Sequence, residues 1–169
     1  MKIKSLVLIV LIVGLSLSKT FGQSPVEFNN QMSEIADSLF QKGNNWGKQL
    51  GEIAATSKQF EKLAPIRLSL EKYIFNQTTR LNEMKDVSGS YNFRQAMITY
   101  LQFEKQMVDS LIKPFESLSS ASTDAVFKET VDKLLKGAAK EQGYLDQVHI
   151  VENEYAKANN FIIKQPAKN

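Results

Sequence analysis

Between residues 25 and 163 the apolar residues of this chain recur at steps of three and four, and strict apolar/polar alternation is absent. Such spacing lines one face of an α-helix and leaves no period-two face for a sheet. An all-α fold is therefore expected. Its interruptions are few, because only 4 prolines and 8 glycines are spread over 169 residues. The first helix is predicted to open at Pro25 behind Ser24 as N-cap. It carries Phe28, Met32, Ile35 and Leu39 and stops at Gly43-Asn44-Asn45. The second takes Trp46, Leu50, Ile53, Phe60, Leu63, Leu70, Ile74, Leu81 and Met84, with Pro65 inside it. A proline there removes one backbone hydrogen bond and crowds the preceding turn. Since the stripe resumes in register at Ile66 and Leu70, the spacing predicts one long kinked helix rather than two.

Asp86-Val87-Ser88-Gly89-Ser90 reads as the stop, and a third helix follows from Ser90 or Asn92. Its stripe is Phe93, Met97, Tyr100, Phe103, Met107, Leu111, Phe115 and Leu118, and Pro114 disturbs the last turn. After the capping-rich Ser119-Ser120-Ala121-Ser122-Thr123, a fourth helix carries Phe127, Val131, Leu134, Ala138, Leu145, Val148 and Tyr155. Four amphipathic helices on short connections pack most simply as an elongated up-and-down four-helix bundle. One domain is expected over residues 23–165, with 166–169 as a frayed tail.

Residues 1–22 read differently. Lys2 and Lys4 precede an apolar run over residues 6–17, and small residues stand at Thr20 and Gly22. That is the layout of a cleavable export signal. A membrane-spanning helix needs about 20 apolar residues, and this run is shorter and ends at Lys19. Export to the periplasm, the cell surface or the medium is expected, with no membrane span after cleavage. The formal charge of +3 equals the three lysines Lys2, Lys4 and Lys19, so residues 23–169 are charge-balanced. The basic excess is thus no nucleic-acid signature. The chain has 0 cysteines, which excludes disulfides, thiolate metal sites and a cysteine nucleophile.

The chain has 1 histidine, His149. Asp146 and Glu152 lie three residues to either side, within helical reach of it. The sharp reading of this weak polar cluster is a metal-ligand set. The plain one is an exposed histidine in a local charge pair. Carboxylate-bridged di-metal bundles draw a Glu-x-x-His from each of two helices, which one histidine does not supply. No metal or cofactor is expected. Glu104, Gln77, Glu141 and Gln142 fall on or beside the apolar stripes. A carboxylate in a bundle core has a raised pKa, but the cost of burying it predicts that these side chains reach the bundle edge. Trp46, Tyr73, Tyr100, Tyr144 and Tyr155 are expected as core residues, with a ligand cavity between helices as the alternative. Phe75 and Ile150 stand off their stripes among polar neighbours and are candidates for an interaction surface. Ala139 and Gly143, in line with Ile150, argue instead for a closely packed helix on that face.

Three short patterns carry a family resemblance: Phe28-Asn29-Asn30 opening the first helix, the small-residue turn and aromatic helix over residues 89–103, and the closing segment 152–161, with Tyr155 and Asn160-Phe161. In these the chain resembles a family of uncharacterised bacterial exported or surface proteins. The resemblance implies an exported four-helix protein, with Tyr155 where phenylalanine is usual, and carries over no functional residues. The expectation is a non-catalytic exported bundle that acts as a binding or cell-envelope interaction module, with an unknown protein or envelope component as partner. The alternatives are a carrier of a small apolar ligand in the bundle core, or a metal-dependent enzyme.

Overall fold

The computed structural model describes residues 23–163, so the export signal and the tail 166–169 lie outside the described residues. Ser24 accepts a hydrogen bond from the Glu27 amide at 3.2 Å while its own amide donates to the Glu27 carboxylate at 2.7 Å. This reciprocal capping box, with Pro25 just inside it, starts α1 where expected. α1 then spans Pro25–Ala55, straight through Gly43-Asn44-Asn45, where a stop was expected. A glycine in a helix costs about 1 kcal/mol relative to alanine. Against that, Trp46 is buried and packs edge-on against Phe115 at 5.4 Å, a burial worth about 3 kcal/mol. The tertiary contact wins.

The expected single helix through Pro65 is also corrected. The chain leaves α1 after Ala55, with Lys58 in the left-handed region at φ 52°, and makes a short 3₁₀ turn over Phe60–Leu63. α2 follows over Ala64–Glu83. Pro65 lies in its first turn, where a missing N–H leaves nothing unbonded, so it begins a helix rather than bending one. Phe60 and Leu63 are fully buried, which is why the stripe read as continuous across the break. Gly89, at φ 79°, turns the chain into α3, Tyr91–Met107. Pro114 disturbs the end of that helix as expected: the backbone passes through a π turn at Val108–Ile112 and a 3₁₀ turn at Lys113–Ser117. Thr123 caps α4, Asp124–Ala158.

The helices run up and down. Tyr73 on α2 donates to the Ile35 carbonyl at 3.2 Å and Arg80 donates to Gln31 at 2.7 Å, so α2 is antiparallel to α1. The start of α1, the start of α3 and the end of α4 meet in the ring cluster Phe28, Phe93 and Tyr155, with centroids 5.4–5.8 Å apart. At the other end Trp46, Phe60, Phe115 and Phe127 form a second cluster. The all-α four-helix bundle stands. Among the described residues there is no strand, and no helix is long and apolar enough to cross a membrane.

The middle of α4 is unevenly packed. Gly137 is its only fully buried residue before Val148, and a Cβ added there would collide with Leu111 and Met107. Tyr144 stacks on Phe103 at 4.3 Å. Both contacts lie on the α3 side. Towards α1 the helix stands away, and a groove opens between them.

Candidate functional site

The groove encloses about 500 Å³, within the range of small-molecule sites. Its apolar floor comes from Met32 on α1, Phe93 and Met97 on α3, and Leu145 and Val148 on α4. Ile163 completes the lining. It arrives because Asn160, at φ 56°, turns the chain back after α4. Asparagine tolerates that left-handed conformation better than most residues. The returning segment also lays Phe161 against Tyr155 at 5.9 Å.

The polar rim brings Ser33 and Asp37 of α1 opposite His149, Glu152 and Asn153 of α4. His149 Nδ1 lies 3.3 Å from Glu152 Oε2. The histidine side chain is 64 % exposed, whereas that of Glu152 is 9 % exposed. Asp146 does not join them: it accepts from Gln142 at 2.7 Å along its own helix. The sequence cluster is therefore a pair, and Asp37 of α1, a residue no local spacing points to, lines the same groove. Among the described residues no group of three or more His, Asp or Glu side chains is placed to hold a metal ion.

The rim has a consistent chemical sense. The Ser33 hydroxyl donates to the Asn29 carbonyl at 3.2 Å, and the Asn153 amide donates to the His149 carbonyl at 2.7 Å. The Ser33 hydroxyl proton and one of the two Asn153 amide protons are thus used within their own helices, and both side chains keep acceptor capacity. Asp37 and Glu152 add carboxylate oxygens. Ser33 makes no hydrogen bond to His149, so no activated nucleophile is assembled. The rim can hold a donor-bearing or cationic group.

Further along the α3–α4 seam, Tyr100 donates to Glu141 at 3.1 Å. Glu104 sits beside this pair with Oε1 buried and without a hydrogen-bond partner among the described residues. Burial first, and the neighbouring Glu141 carboxylate second, push the Glu104 carboxyl up to about 8 from 4.5. Burial and the same two carboxylates also raise the Tyr100 hydroxyl above its ordinary range. Glu104 is thus half-buried at the seam, with one carboxylate oxygen cut off from water rather than the whole group free at the bundle edge. The sequence placed Glu104 and Glu141 each beside a stripe, but nothing in it showed that they face one another. Gln77 Oε1 is likewise buried without a partner, while Gln142 is exposed.

The expected core aromatics divide. Trp46, Tyr100 and Tyr155 are buried, and the Tyr155 hydroxyl, raised to about 12 by burial and Asp86, donates to the Val87 carbonyl at 2.9 Å. Tyr73 is half-buried and Tyr144 lies at the surface. Phe75 is 68 % exposed and Ile150 53 %. They stand on α2 and α4, which are not packed on one another as neighbours, so they do not form a single patch. The close helix packing expected along Ala139, Gly143 and Ile150 is absent: Gly143 has open space beside it and Ala139 is exposed.

No family model, curated protein or solved structure matches this chain.

Proposed function

We propose that the protein is an exported, non-catalytic helical bundle that works by binding, with the α1–α4 groove as its binding site. The observation that carries this reading is the groove itself: about 500 Å³ with an apolar floor and a polar rim drawn from two helices. Small-molecule sites combine those two features. The location rests on the basic, apolar and small-residue sequence of residues 1–22. The non-catalytic character rests on the rim, where the serine hydroxyl is bonded within its own helix and the one histidine pairs only with a carboxylate.

The test is titration of the full chain with the neutral fluorophore N-phenyl-1-naphthylamine. Saturable binding is expected in the wild type and its loss in Ala36→Trp, which fills the groove from α1, with circular dichroism unchanged. Equal binding by the filled variant, or no binding to the wild type, contradicts the reading.

A further inference from the structure

Glu152 is the most heavily buried charged residue of the groove, with 7 % of its surface exposed. One oxygen faces His149 Nδ1 at 3.3 Å, and among the described residues no hydrogen bond reaches the other. That second oxygen is not sealed from water and is free to accept from a ligand. Among the described residues the hydrogen-bonding neighbour of Glu152 is a mostly exposed imidazole. Asp37 stands on the opposite wall of the same groove. Ser33 and Asn153, also lining the groove, have spent one donor each on their own helices. Among the described residues no lysine or arginine lines the groove. Below this rim lie Met97, Leu145 and Val148, which offer no hydrogen bond at all. The site therefore lacks what a ligand would bring: a cationic donor at the rim and an apolar body beneath it.

We propose that the groove binds a small organic ammonium compound, its charged nitrogen held between Glu152 and Asp37 and its hydrocarbon portion on the Met97–Leu145–Val148 floor. This rests on the reading of the groove as the binding site. An ammonium group carries three donors and no acceptor, which matches the carboxylates of Glu152 and Asp37. Hydrogen bonds between ionised partners are about twice as strong as neutral ones. An anionic ligand of the same shape would meet two carboxylates.

The experiment compares n-octylammonium, 1-octanol and octanoate on the full chain, read by NMR shift changes at Leu145 and Val148 and so independent of the dye. The ammonium compound is expected to bind tighter than the alcohol by about tenfold, the scale of one charge-assisted hydrogen bond, and octanoate not to bind. Glu152→Gln and Asp37→Asn should each remove most of that preference, read as the ratio of the ammonium and octanol affinities of the same variant. Asp37 is exposed, so its variant keeps the test valid even if Glu152→Gln does not fold. Equal affinity for the three compounds, or a preference that survives both variants, overturns the ligand class while leaving the groove as a binding site. Failure of all three to bind, where the naphthylamine does bind, overturns it as well. Failure of the naphthylamine too removes the groove reading itself.

Discussion

Two places in this bundle hold charge away from water, and they do so in opposite ways. Arg67 on α2 is 7 % exposed and is met by two carboxylates: its Nη1 donates to Glu71 at 2.5 Å and its Nε and Nη2 to Glu116. The planar guanidinium fork matches a carboxylate in two places at once. These bonds join α2 to the turn after α3, and first the Glu116 hydrogen bonds hold the Arg67 charge firmly protonated. On the α4 side, Glu104 faces Glu141 and a tyrosine, and Glu152 faces an exposed histidine. Among the described residues no buried cation meets these acids. The compensated cluster has the chemistry of a structural clamp, and the uncompensated acids have that of a site left open to a proton or a positively charged ligand.

The largest effect is expected from removing the clamp's cation. Arg67→Met leaves Glu71 and Glu116 partly buried and unpaired, and should lower stability by about 3 kcal/mol in urea unfolding. A loss no larger than that of an exposed pair, below about 1 kcal/mol, would erase the contrast.

The acidic pair should respond in the reverse sense and through pH. Glu104 titrates at about 8 in the fold against 4.5 ordinarily. Between those values the folded chain holds a proton that the unfolded chain has lost, so stability falls as pH rises from about 4.5 to about 8. Glu104→Gln, which cannot ionise, should therefore be more stable than the wild type at pH 9 by a few kcal/mol. That is less than the about 5 kcal/mol that the full shift converts to, because the side chain is only partly buried. At pH 4 the two should be nearly equal. An equal difference at both pH values would mean that the carboxyl is not desolvated.

Smaller effects separate the closed and open sides of the bundle. Gly47 on α1 is exposed with no atom within 4 Å of an added Cβ, whereas at Gly137 that Cβ meets Leu111 and Met107. Gly47→Ala should gain about 0.5–1 kcal/mol from helix propensity. Gly137→Ala should forfeit that gain to the clash. Thermal melts of the two variants compare them directly.

What was legible in the sequence was what local spacing encodes. Ser24 and Glu27 form their capping box within one turn, and Phe28, Met32, Ile35 and Leu39 are buried as their stripe required. His149 and Glu152 pair across three residues of one helix. What was not legible depends on another helix. Trp46 carries α1 through Gly43-Asn44-Asn45 because Phe115, far along the chain, is there to receive it. The break at residues 56–59 was masked because Phe60 and Leu63 stay buried through a 3₁₀ turn. Asp37 comes to line one groove with His149 and Glu152, and Glu104 meets Glu141, only once α1, α3 and α4 are assembled. The site is thus a tertiary feature built from residues whose spacing announces helices and nothing more.

Where a cationic amphiphile sits on the bundle decides whether the groove is the binding site. Intermolecular NOEs between n-octylammonium and the full chain should link its alkyl protons to Met97, Leu145 and Val148 and place the methylene beside its nitrogen near Glu152. NOEs to Phe75 or Ile150 instead, or none at all, would contradict it.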